Sequence, residues 1–168
     1  MNKKNVGVYA IVLVLGFVLS AVGVFAAHSS TVDLQPEWTV PGAQNDYTVT
    51  FCNDGVSTDA IDEVRIYRNL QYTNFVCQLK EGWELYFIAA KQACQYVSTD
   101  GTDPNYDIAP GSCEDFNFSA TAPVSSTTCG LVWDFETRDK TQPNPGSIVY
   151  LHDTTNIDET PPTTSKLI

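Results

Sequence analysis

The stretch Leu131-Val132-Trp133-Asp134-Phe135-Glu136-Thr137 alternates apolar and polar side chains with a period of two. This alternation is typical of a β-strand that has one face in a hydrophobic core and the other face in water. We therefore predict a strand here that buries Leu131, Trp133 and Phe135 and exposes Asp134 and Glu136.

The same alternation recurs along the chain and predicts further strands at residues 47–51, 63–68, 115–120 and 147–151. In the second of these, Val64 and Ile66 are expected to point inward and the arginines outward. Residues 85–88 are assigned to a strand because they are rich in strand formers, although Trp83, Phe87, Ala90 and Cys94 also fall at helical spacing. Turn residues such as Asn53-Asp54-Gly55 separate the runs. About seven or eight short strands without alternating helices predict an all-β, antiparallel β-sandwich.

Composition and charge exclude two function classes. The chain has 168 residues, 9 basic and 20 acidic side chains, and a net charge of −11. The length leaves about one domain after residues 1–27, which excludes a large multidomain enzyme. Because a surface this acidic repels polyanions, a nucleic-acid partner is also excluded.

The N-terminus has the layout of a secretory signal. Two lysines are followed by an uncharged run at residues 6–27 that ends in small residues, so cleavage is expected after Ala26 or Ala27. The run is about 22 residues long, which is also enough for a retained membrane helix. Both alternatives place the rest of the chain outside the cytoplasm. We assign residues 1–27 to a signal peptide or anchor, 28–157 to the sandwich, and 158–168 to a Pro/Thr-rich linker or tail.

The five cysteines are expected to form disulfides. Cys52, Cys77, Cys94, Cys113 and Cys129 include no C-x-x-C pair, and the two histidines lie at opposite ends of the chain beyond the signal, which argues against a zinc site. An oxidising compartment favours bridges instead. The favoured pair is Cys77–Cys94, and Cys113 would pair with Cys52 or Cys129. The cysteine left over would be buried and inert or would form an intermolecular link.

Three segments resemble a known class of domain. Trp38-Thr39-Val40-Pro41-Gly42 followed by a strand and Asn53-Asp54-Gly55 resembles the opening of immunoglobulin-like surface domains. Ile108-Ala109-Pro110-Gly111-Ser112 and the strand after it resemble a later strand of the same modules. Asp158-Glu159-Thr160-Pro161-Pro162-Thr163 is similar to spacers between tandem modules of bacterial and archaeal envelope proteins. The resemblance covers most of residues 31–160, departs from the pattern at 69–107, and is nearest to prokaryotic cell-adhesion-related domains.

The resemblance implies an immunoglobulin-like sandwich on the cell exterior and carries over no catalytic residue. The residues themselves agree, because they offer no G-x-S-x-G motif. His152 precedes Asp153, but it is interpreted as a surface residue at the end of the last strand rather than as part of a triad. Glu114-Asp115 and the Asp134/Glu136 pair are interpreted as solvated carboxylates rather than as glycosidase groups. We therefore predict a protein that is not an enzyme.

Three features remain as candidate sites. Asp100, Asp103, Asn105 and Asp107 share one loop and are candidate calcium ligands, with a solvated turn as the alternative. No other cofactor is expected. Trp83 follows a turn glycine and is the best candidate for an exposed, ligand-binding aromatic. Asn117 begins an Asn-x-Ser sequon on an outward position and is a candidate glycosylation site.

The sequence thus favours a secreted or surface-tethered structural or adhesive domain of a prokaryotic cell envelope. Its partners would be other cell-surface proteins or glycans, and it would contact a membrane only through residues 6–27 if these are uncleaved. One alternative is a pilin-like filament subunit that retains its N-terminal helix. The other alternative is a carbohydrate-binding module.

Overall fold

The computed structural model describes residues 28–99, 106–125, 130–139 and 147–158, which fold into two β-sheets packed face to face. Within these residues no helix is long and apolar enough to cross a membrane. The predicted signal or anchor and most of the predicted tail lie outside the described residues. The strands are β1 (Ser30–Gln35), β2 (Trp38–Thr39), β3 (Gln44–Asn53), β4 (Glu63–Tyr67), β5 (Thr73–Cys77), β6 (Trp83–Ile88), β7 (Ala93–Ser98), β8 (Cys113–Thr121), β9 (Leu131–Arg138) and β10 (Ile148–Ile157).

The strands form a smaller and a larger sheet. The smaller sheet has the order β1-β3-β8-β5, and the larger sheet has the order β2-β10-β9-β4-β7-β6. Every strand pair is antiparallel except the short parallel contact between β2 and β10. The prediction of an all-β antiparallel sandwich is confirmed. The described residues form ten strands, more than the expected seven or eight.

Four strands have no counterpart in the predicted set: β1, β2, β5 and β7. β2 has only two residues, and β5 lies at the end of its sheet with no fully buried position. β1 begins by burying Ser30, a polar residue, and β7 buries adjacent residues at its start. β2 and β5 therefore lack the alternation of large apolar residues on which the sequence prediction depends, whereas β1 alternates Val32 and Leu34 with polar residues and was missed nevertheless.

The core lies between the two sheets and is rich in aromatic rings. The residues predicted to face inward on β3, β4, β8 and β9 are all buried. Trp133 of the larger sheet packs against Phe118 and Tyr47 of the smaller one, with ring centroids 4.9 and 5.8 Å apart. Tyr72 packs against the same indole at 4.8 Å, and its hydroxyl bonds Thr155 Oγ1 at 2.6 Å. These rings bury large apolar areas and hold the sheets together.

Two disulfides cross-link the strands. Cys77–Cys94, the pair favoured by the sequence, joins β5 to β7 and so connects the two sheets. Cys52–Cys113 joins neighbouring strands of the smaller sheet, which resolves the choice left open for Cys113. Cys129 lies outside the described residues. The bridges span 17 and 61 positions, loops for which chain entropy stabilises by about 3 and about 4 kcal/mol.

The expectation that Trp83 is an exposed ligand-binding aromatic is wrong. Only 5% of the residue is exposed, and its ring packs edge-on against Phe116 with centroids 5.0 Å apart. β6 directs Trp83 into the core because the preceding glycine, with a φ of +77°, turns the chain there. The ring of Tyr106 covers Gly82 so closely that a Cβ at this position would lie 1.9 Å from Tyr106 Cδ1.

We expect Trp133→Ala to lower the free energy of unfolding of the full chain by about 3–5 kcal/mol, because it removes the ring shared by both sheets. Urea denaturation followed by circular dichroism measures the change. Val132→Ala is the matched control, since Val132 is the exposed neighbour on the same strand and should change stability by less than about 0.5 kcal/mol. Equal losses in the two variants would contradict the assignment of the core.

Candidate functional site

The outer face of the larger sheet carries two rows of polar and aromatic side chains. Strand pairing places Tyr150, Glu136 and Arg65 side by side in one row. It places His152, Asp134 and Tyr67 side by side in the next row. These residues face outward because their chain neighbours, such as Trp133 and Phe135, fill the core.

A buried ion cluster stabilises the first row. Glu136 Oε2 accepts a hydrogen bond from the Tyr67 hydroxyl at 2.6 Å, and its Oε1 accepts one from Arg65 Nη1 at 3.1 Å. Arg138 also pairs with Glu136, and Arg65 Nη2 lies 2.6 Å from Glu63 Oε1. The prediction that Glu136 is in water is therefore wrong, whereas Arg65 lies on the outer face as predicted but is also shielded from solvent. They are only 1% and 9% exposed because these long neighbouring side chains cover them.

The cluster keeps Glu136 ionised. Burial alone raises the pKa of a carboxyl, but hydrogen bonds from Tyr67 and Arg138 and the charges of Arg65 and Arg138 outweigh it, so the pKa of Glu136 lies below its ordinary value. Burial and the hydrogen bond to Glu136 raise the pKa of Tyr67, which keeps its hydroxyl protonated as the donor. We call this part of the face, where ion pairs and hydrogen bonds connect β4 and β9, the platform.

Beside the platform lies an open groove of about 440 Å³, which we call the face groove. Its floor is formed by β4, β9 and β10, and its wall by the loop after β4 and the turn before β7. It is lined by Tyr67, Arg68, Leu70, Lys91, Asp134, Phe135, Tyr150, Leu151 and His152. Tyr150 is 66% exposed, and His152 Nδ1 lies 3.1 Å from Asp134 Oδ1. The groove therefore combines exposed aromatic surface with charged groups, the composition expected of a recognition site.

His152 lies on β10 as an exposed residue, within the strand rather than at its end. Asp153 does not pair with it, because successive strand residues face opposite sides. Asp153 Oδ2 instead accepts a hydrogen bond from the Leu34 backbone at 2.7 Å. Of the other predicted carboxylate pair, Glu114 bonds the Lys80 ammonium at 2.7 Å and Asp115 accepts the Thr50 hydroxyl at 2.6 Å.

A second polar cluster, not found from the sequence, lies inside one end of the sandwich around His28. Its Nδ1 lies 3.0 Å from Asp139 Oδ2 and 2.7 Å from Ser147 Oγ, and its Nε2 lies 3.0 Å from Thr137 Oγ1. His28 and Thr137 have no exposed surface, so no substrate can reach the imidazole or the Thr137 hydroxyl. The cluster ties the start of β1 to β9 and the start of β10. Its one signal in the sequence is a histidine directly after the apolar run.

The remaining predicted sites are only partly described. Asp100, Asp103 and Asn105 lie outside the described residues, so the calcium site stays a prediction. Asp107, the described member of that loop, is half-buried, and its Oδ1 has no hydrogen-bond partner. Asn117 is exposed on β8, and its Oδ1 accepts the Thr48 hydroxyl at 2.8 Å. The described part of the chain brings together no three His, Cys, Asp or Glu side chains that could hold a metal ion.

Comparison with known proteins shows the fold. No protein-family model matches the chain, and no curated protein matches its sequence. An uncharacterized protein from Nocardia farcinica with an immunoglobulin-like fold is similar, with a TM-score of 0.58 and 14% identity over 76% of this chain and 96% of that one. The major pilin subunit of Bacillus cereus is also similar, with a TM-score of 0.54 and 7% identity over 77% of this chain and 40% of that one. The chain has an immunoglobulin-like fold, as its sequence resemblance implies.

We expect the stability of the full chain to fall in acid, because a lowered carboxyl pKa stabilises the folded state above the unfolded pKa. For Glu136, whose ordinary pKa is 4.5, the contribution is complete at neutral pH and is lost as the pH falls through the folded pKa. Glu136→Gln should lower the free energy of unfolding at pH 7 by about 3 kcal/mol, because Arg65 and Arg138 lose their shared partner. The same substitution should also reduce the loss of unfolding free energy on acidification.

Urea denaturation between pH 7 and pH 3 measures both effects. Asp134→Asn is the matched control, since it removes the same charge from an exposed position on the same strand. This control should lose less than about 0.5 kcal/mol at pH 7. An acid profile of Glu136→Gln that matches the wild type would contradict the role of the cluster.

Proposed function

We propose that this chain is a non-catalytic adhesive module of the cell surface, and that the outer face of its larger sheet binds a partner outside the cell. The immunoglobulin-like fold and the two disulfides support an extracellular location. The signal-like residues 1–27 support it independently. The fold alone carries no function, so the proposal depends on the geometry of the site.

The face groove is the observation that carries the proposal. Tyr150, Leu70 and His152 expose large side chains around it, while the ion cluster beside it holds the supporting strands in place. Exposed aromatic surface beside a platform connected by ion pairs favours binding, because side chains that are already held in place lose little conformational freedom when a partner docks. The groove is open to water, whereas catalytic sites commonly exclude it.

We expect the full chain, produced by secretion, to bind intact cells or extracted envelope of the organism that makes it. Tyr150→Ala should weaken this binding about 30-fold, the effect of truncating an interface aromatic that contributes about 2 kcal/mol. Titration by flow cytometry or surface plasmon resonance measures the dissociation constant.

Tyr86→Ala is the matched control, since Tyr86 is a half-exposed tyrosine on β6 outside the groove. It should bind as the wild type does. Equal losses in the two variants, or full binding by Tyr150→Ala, would contradict the groove as the binding site. Absence of binding to any envelope fraction would contradict the adhesive role.

A second candidate function is that of a filament subunit, and a different surface favours it. β5 and β6 are the end strands of the two sheets, so one backbone edge of each is unpaired in its sheet. Between them lies an apolar groove of about 290 Å³, the edge groove, lined by Phe75, Val76, Cys77, Leu85, Phe87 and Cys94. Phe87 and Val76 are exposed. Free strand edges beside apolar surface are sites where another chain can pair.

If copies assemble through this edge, the full chain should form larger species that grow with concentration. Phe87→Lys should shift these species to monomer, because it buries a charge in the contact. Analytical ultracentrifugation and electron microscopy measure the change. Val56→Lys, an exposed valine in the turn after β3, is the control and should leave assembly unchanged. A wild-type chain that stays monomeric at all concentrations would contradict this function.

A further inference from the structure

The basic residues of the described chain divide into two groups. Five arginines and lysines are described in a protein of net charge −11. Arg65, Arg138 and Lys80 each form an ion pair with a glutamate. The other two, Arg68 and Lys91, form no ion pair among the described residues, and both line the face groove.

The geometry brings these two cations together. Arg68 directly follows β4, and its backbone N–H donates to the Gln92 carbonyl at 3.0 Å. This bond holds the end of β4 against the turn that carries Lys91. The Lys91 ammonium lies 5.9 Å from the centre of the Tyr67 ring, a cation–π contact that leaves its hydrogen-bond donors available. The cations therefore form one end of the groove.

The Arg68 guanidinium has a hydrogen-bond donor without an acceptor. Its Nε atom is buried and has no hydrogen-bond partner. A buried donor without an acceptor costs free energy, and such groups in native proteins call for an explanation. Because Nε has almost no exposed surface, a ligand in the open groove cannot reach it; a carboxylate there would pair with the part of the guanidinium that lines the groove, since the planar fork matches two carboxylate oxygens.

The opposite end of the groove has different chemistry. Strand order places Tyr67, Asp134 and His152 in one row that runs away from the cations. Asp134 can accept hydrogen bonds from hydroxyl groups, and Tyr150 offers an exposed ring on which an apolar sugar face can lie. The groove thus separates a site for one anionic group from a site for neutral hydroxyls. Its volume of about 440 Å³ lies within the usual range of ligand pockets.

We propose that the face groove binds a carboxylated pyranose, such as a uronic or sialic acid residue, with its carboxylate at Arg68 and Lys91. The inference rests on the proposed function, because it names the chemistry of the partner that the groove recognises. The sugar belongs to an otherwise neutral glycan. A polymer with a charge on every residue is repelled by the protein's net charge of −11.

The test compares matched saccharides on the full chain by calorimetry. The probes are a glucuronic-acid-terminated disaccharide, the same disaccharide ending in glucose, and a disaccharide ending in N-acetylneuraminic acid. We expect at least one acidic probe to bind about tenfold or more tightly than the neutral probe, the gain of one charge-assisted bidentate contact. Its affinity should fall as salt is raised from about 0.05 to about 0.5 M. Equal binding of acidic and neutral probes would overturn the inference.

Substitutions of the two cations test whether the carboxylate binds at Arg68 and Lys91. Arg68→Gln should weaken binding of the acidic probe about tenfold and leave the neutral probe unchanged, and Lys91→Gln should act in the same direction. Lys80→Gln removes the same charge outside the groove, since Lys80 pairs with Glu114, and should have no effect on binding. Circular dichroism confirms that each variant is folded. An equal loss in Lys80→Gln would assign the effect to overall charge and overturn the site.

The two proposals fail in distinguishable ways. If no saccharide binds but envelope binding still depends on Tyr150, the carboxylated-sugar inference is overturned and the adhesive function stands. If saccharide binding depends on Arg68 while the envelope fractions do not bind, the groove is a sugar site and the adhesive role is overturned. If neither probe nor envelope binds, both are overturned.

Discussion

The packing of Trp133 between the two sheets organises both the core and the outer face of the larger sheet. Its indole contacts Phe118 and Tyr47 of the smaller sheet and Tyr72 of the loop between β4 and β5. Because side chains alternate along a strand, burying Trp133 forces Asp134 to the outer face. The neighbouring strands obey the same rule, so core packing determines which side chains form the face groove.

The outer face is stabilised by charge rather than by apolar burial. Glu136 is shielded by Arg65, Arg138 and Tyr67, whose side chains lie over it on the flat surface of the sheet. Of the five basic residues that the structure describes, Arg65, Arg138 and Lys80 are paired with glutamates, and Arg68 and Lys91 remain at the groove. In a strongly acidic protein, the location of unpaired positive charge therefore indicates where an anionic ligand can bind, because most carboxylates elsewhere on the protein repel such a ligand.

The sequence predicted most of the strands that alternate cleanly and the residues that these strands bury, but it missed β1, where Val32 and Leu34 alternate with polar residues. It failed for strands such as β5, whose residues are largely exposed at the end of a sheet, and β7, which buries adjacent residues at its start. It also placed Glu136 in water and Arg65 on the outer face, where a polar residue is ordinarily solvated. Their burial follows from neighbours on other strands: Tyr67 lies 69 positions from Glu136. No local pattern reports such a distant contact.

The amino-acid sequence was enough to predict an all-β sandwich, because periodicity two records which side of each strand faces the core. Its cysteine spacing also favoured the bridge Cys77–Cys94. The folded chain was needed to show that Cys52 is the partner of Cys113, that Trp83 is buried, and that Arg68, Lys91 and Tyr150 line one groove. The physical reason is that periodicity describes one strand at a time, whereas a site is formed by the order and register of strands far apart in the chain.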